Sequence, residues 1–167
     1  NSSHTAHGTS TYGVLFGDGG TDTSALGLMP TATGLFASYH EIADRDAHLA
    51  DLAGPPWFGD IQSNSWGSGV SRRYTAASAE MDDSIFRHGV IVLQSQSNFG
   101  TPDSRPEAWA KNVLAVGGVQ GRGTLNRDDD AWAGLASTGP AVDGRIKPDL
   151  VMFNDGIWAT SDAADDA

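Results

Sequence analysis

The strongest constraint on this chain is an alternation. Short apolar runs rich in β-branched residues take turns with helix-patterned segments, and the connections are too long for hairpins. Val90–Leu93 and Val113–Val116 are runs of the kind found in strands buried on both faces. Ile61–Trp66 is strand-like and ends at a glycine, and Leu35–Tyr39, behind Gly34, reads as a short buried strand. Asp44–Leu52 reads as a helix, with acids early, Leu49 and Leu52 on one side, and Gly54-Pro55-Pro56 as its stop. Thr75–His88 reads as another, with Ala76, Ala79, Ile85 and Phe86 suitably spaced and Gly89 closing it. His7–Phe16 is a third, using Tyr12, Leu15 and Phe16, and Gly27–Thr33 is a loop. Parallel strands need crossovers of this length, so the expected fold class is α/β: a mostly parallel central sheet with helices on both sides. The 167 residues suit a single domain, and a hydrophobic fraction of 39% with 5 Trp and 6 Phe can fill its core.

Composition removes several function classes. There is no cysteine, hence no disulfide framework, zinc–thiolate site or thiol nucleophile. Acids outnumber bases 21 to 10, a net charge of −11, which repels phosphate backbones, so no nucleic-acid partner is expected. No apolar run approaches the roughly 20 residues that span a bilayer, so no membrane partner is expected either. G-x-S-x-G, G-x-x-x-x-G-K-[ST] and a strand-end G-x-G-x-x-G are all missing, which argues against α/β-hydrolase, nucleotide-hydrolase and dinucleotide chemistry.

In open parallel sheets, ligands sit beyond the carboxyl ends of the strands. Two strand ends carry small polar residues and glycine there: Asn64-Ser65-Trp66-Gly67 and Ser95-Gln96-Ser97-Asn98-Phe99-Gly100. The Asn98 amide suits donation to an oxyanion, and equally suits capping a turn before glycine. His7, ahead of Gly8-Thr9 at an expected helix start, suits a general base at a strand-to-helix junction, and equally a surface histidine. His4 and His7 have the H-x-x-H spacing of metal ligands, without a specified third ligand. Asp128-Asp129-Asp130 suits a hard cation or a solvated acidic loop, so an unrelated α/β domain with a metal site there is one reading.

Taken in order, several segments resemble the subtilisin-like serine proteases. His7-Gly8-Thr9 with Gly13 resembles the motif around the family's catalytic histidine, and Gly27-Leu28-Met29-Pro30 resembles its G-x-A-P loop. Asn64-Ser65-Trp66-Gly67 resembles the strand that holds substrate backbone, and Ser97-Asn98-Phe99-Gly100 stands in the place of G-N-x-G. Ala115-Val116-Gly117 resembles a strand end of the family. Ser137-Thr138-Gly139-Pro140 followed by Asp143-Gly144-Arg145-Ile146-Lys147-Pro148-Asp149 resembles its S-S-R-G-P-x-x-D-G-R-I-K-P-D stretch.

The resemblance implies a three-layer subtilisin-like α/β fold and serine endopeptidase chemistry by a Ser-His-Asp triad. It implies His7 as general base and Asn98 as oxyanion donor. Ser65, Trp66 and Gly67 would pair with an extended polypeptide substrate, and Ser95, Gln96 and Ser97 would border the pocket for the residue before the cleaved bond. Ser10, Thr11 and Tyr12 depart from the family after H-G-T, as do Met29, Gln96, Ser97, Thr138 and Met152-Phe153-Asn154 at their places; Gln96 is expected to make the pocket narrower and more polar. The six residues ahead of His7 contain no Asp, and nothing after Asp149 matches G-T-S-x-A-x-P. The chain, which starts at Asn1 without a basic-then-apolar leader, is therefore expected to be the central portion, 1–167, of one peptidase domain, with triad Asp upstream and triad Ser downstream. It is expected to be inactive alone and to self-associate or need the remaining parts of that domain. The alternative is a degenerate, non-catalytic module that binds peptides or serves as a scaffold. No cofactor is expected to be required; a structural calcium ion is compatible with the family and is not readable from the residues. A secreted location is expected.

Overall fold

The computed structural model describes residues 2–20 and 22–161; the His4 side chain and the acidic tail at 162–167 lie outside the described part. The chain divides into two compact units, Asn1–Ser38 with Gly156–Ala167, and Tyr39–Asp155.

In the first unit a helix α1 spans Ser2–Phe16. It starts a turn earlier than the residue pattern suggests, so His7 sits within the helix and not at its start. The loop after α1 folds back on the helix end: Leu28 and Met29 donate their N–H groups to the carbonyls of Val14 and Leu15. Gly27–Thr33 is irregular, as expected. Leu35–Tyr39 is not a strand. Leu35 and Phe36 remain exposed, and Phe36 lies edge-on to Tyr12 of α1, with ring centroids 6.2 Å apart. An apolar run without a neighbouring strand finds a helix surface instead of a ladder.

The second unit holds the sheet. Strands β1 (Ile61–Asn64), β2 (Ile91–Ser95), β3 (Leu114–Gln120) and β5 (Leu150–Phe153) are parallel in the spatial order β1-β2-β3-β5. A short β4 (Ala131–Trp132) pairs antiparallel with the far end of β3, on the edge that β2 has left. This is an α/β architecture with a mostly parallel sheet. Helix α2 (Arg45–Ala53) begins where Asp44 accepts the Ala47 N–H and ends at Gly54. Helix α3 (Ala76–His88) begins with a capping box between Thr75 and Ser78 and ends at Gly89, whose φ of 69° lies in the left-handed region that glycine enters at no steric cost.

Leu49 of α2 and Met81 of α3 pack with Val90, Val92, Ala110 and Val113 to form the core on one face of the sheet. The other face differs from the expectation of strands buried on both sides. In register across it stand Ile61 opposite Ile91, Leu93 opposite Leu114, and Val116 opposite Leu150. Ile61, Ile91, Leu114, Leu150 and Met152 are all exposed, because the helices of Tyr39–Asp155 supply one covering layer and not two.

The Asp143–Asp149 stretch fastens the entrance of β3. Lys147, buried, donates to the Val113 carbonyl at 2.8 Å and to the Asp149 carboxylate at 2.6 Å. That carboxylate also accepts the Ala115 N–H at 2.7 Å. Arg145 caps the assembly by donating to the Trp109 carbonyl and lying over the Tyr74 ring.

Candidate functional site

Parallel pairing of Asn64 with Gln94 sets the carboxyl ends of β1 and β2 side by side. Ser65 and Ser95 therefore line one open cleft of about 470 Å³, with Asn64, Leu93, Val116 and Leu150–Met152. The structure thus brings together two of the residues marked in the sequence, one from each strand end. Trp66, Gly67, Gln96 and Ser97 lie outside that lining.

Trp66 and Gly67 are held from inside the unit. Gln94 donates its amide to the Trp66 carbonyl at 2.7 Å. The Trp66 ring carries the Arg45 guanidinium at 4.2 Å and stacks on Tyr39 at 5.6 Å between centroids. Next in the chain, Ser68 donates both its N–H and its hydroxyl to Glu107, a carboxylate with no exposed surface. Gly67 approaches that carboxylate so closely that a Cβ there would stand 2.8 Å from Oε2.

The Asn98 loop is fixed by a different set of contacts. Ser104 donates its hydroxyl to the Gln96 carbonyl, and the Gln96 N–H pairs with the Val116 carbonyl at 2.8 Å. Ser137, buried, donates its N–H to the Ser97 carbonyl and accepts the Phe99 N–H on its hydroxyl, bracketing Asn98. Gly100 donates to the Leu135 carbonyl at 2.8 Å. Asn98 itself is exposed. Ser97 has φ of 93°, a conformation that costs a non-glycine residue about 1–3 kcal/mol. The G-N-x-G motif that this segment resembles has glycine at this place, and the backbone angle supplies a reason. Gln96 is buried, and neither atom of its side-chain amide has a hydrogen-bond partner among the described residues.

His7 belongs to the first unit. Its side chain is exposed, and its carbonyl accepts the Thr11 hydroxyl at 3.0 Å. Gly8, beside it, faces the Phe36 ring closely enough that a Cβ would stand 3.0 Å away. Thr160 donates its hydroxyl to the Thr9 carbonyl at 2.8 Å in the same unit.

Asp128 and Asp129 lie in a 3₁₀ turn, Arg127–Asp129, in which the Asn126 side chain accepts the Asp128 N–H and Asp129 accepts the Thr124 hydroxyl at 2.9 Å. Among the described residues, no three His, Asp or Glu side chains gather as a metal site would require, and no helix is long and apolar enough to cross a membrane.

Four residues with a bearing on the site escaped the sequence reading: Arg45, Glu107, Ser104 and Ser137. Glu107 had a usable signal, a lone acid inside the apolar stretch Pro106–Ala110. Ser137 stands in the Ser137–Pro140 motif, which assigns it no role of its own, and Arg45 and Ser104 had no signal.

A helix-backed parallel sheet with polar loops at its carboxyl edge is shared by many enzymes, so the family has to come from comparison. The subtilase family model matches residues 1–162. The chain belongs to the subtilase family, a family of serine proteases. It is 34% identical to the serine protease AprX of Bacillus subtilis (strain 168) over 102 residues, which covers 55% of this chain and 22% of that protein. Among solved structures it resembles the S41 psychrophilic protease (TM-score 0.66, 18% identity, 93% of this chain and 54% of that one). It also resembles the prenylagaramide maturation protease PagA (TM-score 0.58, 16% identity, 89% of this chain and 50% of that one). The chain thus spans about half the length of these solved relatives and a smaller share of AprX.

Proposed function

We propose that the protein to which these residues belong is a serine endopeptidase that cuts polypeptides through a Ser-His-Asp triad. Membership of the subtilase family over residues 1–162 is the observation that carries this reading. In it, His7 takes the proton from the attacking serine hydroxyl and returns it to the leaving amine, and water then resolves the acyl-enzyme. The Asn98 amide donates to the oxyanion that forms on the scissile carbonyl. Loss of one such donor costs about 3 kcal/mol of transition-state stabilisation, a value known from subtilisin itself. Ser65–Gly67 takes the substrate backbone by strand addition, and Ser95–Ser97 borders the pocket for the side chain before the cleaved bond.

Residues 1–167 hold no motif matching the family's triad Asp or Ser, so the serine and the aspartate of this scheme come from other parts of the protein. Those same parts cover the apolar sheet face, and residues 1–167 by themselves self-associate through it and do not turn over peptides. A secreted location suits the absence of cysteine and the acidic surface.

The test is covalent labelling. The full-length protein should react with a serine-directed phosphonate, and His7→Ala should abolish the reaction. Labelling that survives the substitution removes His7 from the mechanism; a full-length protein that never labels favours the non-catalytic, peptide-binding reading.

A further inference from the structure

The ladder of β1 ends at Asn64, so no sheet hydrogen bond holds residues 65–67. A strand that receives an extended peptide must keep backbone groups free of its own sheet, and must therefore be made rigid by some other means. On the peptidase reading above, we propose that Glu107 and Arg45 are positioning residues for the substrate strand: a buried ion pair that grips Ser68 on one side of Gly67 and the Trp66 ring on the other.

The argument begins with cost. A carboxylate taken wholly out of water loses several kcal/mol of hydration, which only close partners offset. Glu107 is 0% exposed, and its hydrogen bonds converge on one short segment and one cation. Oε1 accepts from Arg45 Nη2 at 2.5 Å, from the Ser68 hydroxyl at 2.6 Å and from the Ser68 N–H at 3.0 Å. Oε2 accepts the same N–H at 3.2 Å. The Arg45 guanidinium then lies over the Trp66 ring at 4.2 Å, a cation–π contact strengthened by partial burial. Gln94 fixes the Trp66 carbonyl. The side chain of residue 66, its carbonyl and the amide of residue 68 are thus all anchored from within, and Gly67 passes between the anchors where only a residue without a side chain fits.

Preorganisation of this kind acts on extended substrates, because only they lie along the strand. The experiment uses the full-length protein with Glu107→Gln, which leaves an acceptor for Ser68 and removes the charge that holds Arg45. Active protein is counted by phosphonate titration. Turnover is measured on an extended peptide and on a small ester that does not reach residues 65–67, and hydrogen exchange is followed for residues 64–69 against 91–95. The expected result is faster exchange confined to 64–69, with kcat/KM on the peptide falling about tenfold further than on the ester, mainly through KM. Arg45→Lys keeps a cation and loses the planar face over Trp66; it gives the same pattern, more weakly, and carries the test if Glu107→Gln does not fold. Unchanged exchange at 64–69 overturns the proposal, as does an equal loss on both substrates, which marks a purely structural role. A wild-type protein that neither labels nor turns over either substrate overturns the peptidase reading first, and the positioning role with it.

Discussion

The two faces of the sheet are built from the same strands and behave as different materials. On the helix side, Val92, Gln94, Ala115 and Trp109 are fully buried, Leu49 and Met81 pack with Val92, and capping contacts close both ends of α2 and α3. On the opposite side, Ile61, Ile91, Leu114 and Met152 stand with half or so of their surface exposed. An alternation of inward and outward residues normally pairs apolar with polar. Here the outward set is largely apolar, while Gln94 and Asn64 stand among the buried residues; on the reading proposed above, parts of the protein outside residues 1–167 cover this face. The difference teaches that burial in this chain is a local property of each strand face, and that strand composition alone reports the sum of both.

The comparison can be broken by mutation. Trp109→Ala empties the packed side and removes the indole N–H that the Ser71 carbonyl accepts at 2.7 Å, leaving that carbonyl the Ser104 N–H; it should cost about 4 kcal/mol by urea unfolding. Ile91→Thr on the open side should cost within about 0.5 kcal/mol in residues 1–167, the range of surface substitutions. On the reading proposed above, in which the rest of the protein covers this face, the same change in the full-length protein should cost upward of about 1 kcal/mol. Equal costs in the two lengths would mean that the face stays bare in the whole protein.

Between the faces, at the carboxyl edge, the strained Ser97 offers a finer probe. Ser97→Gly should raise stability by about 1 kcal/mol, read as a higher urea midpoint at constant slope, because glycine adopts φ of 93° without the Cβ clash. A loss of stability would show that Ser97 is held there by contacts that outweigh the strain.

The smallest effect concerns how the packed side is held by charge. Asp46 of α2 accepts from Ser84, Arg87 and His88 of α3. The Ser84 hydroxyl first, then the Arg87 guanidinium, lower its pKa from the ordinary 3.8 to about 2. A carboxyl with a depressed folded-state pKa contributes its stability in full above the unfolded value and loses it as pH falls through the folded one. Unfolding free energy should therefore decline between about pH 4 and pH 2, and Asp46→Asn should flatten that part of the profile. Asp155, held low by the N–H groups of Gly121 and Arg122, contributes in the same direction.

How much was legible follows the range of each interaction. Asp44, Thr75, Gly54 and Gly89 mark helix ends through contacts within a few residues, and the structure places α2 and α3 within one residue of the expected limits at each end. The Asp143–Asp149 stretch is the most distinctive in composition and carries no chemistry: Lys147 and Asp149 fasten the entrance of β3, which explains why its residue types are so specific. The plainer segments, Asn64–Gly67 and Ser97–Gly100, are the ones the proposed reaction uses. Leu35–Tyr39 misled because an apolar run reads alike whether it meets a strand or a helix surface.

From the residues alone came the α/β class, the mostly parallel sheet, the limits of α2 and α3 and the subtilase resemblance, all of which depend on near neighbours or on ordered short motifs. Only the folded chain decided that one sheet face is open, that residue 97 must adopt a left-handed backbone, and that Glu107 reaches Ser68 and Arg45, 39 and 62 residues away. Such pairs leave no periodic mark, because the energy that selects them arises only when distant segments exclude water together.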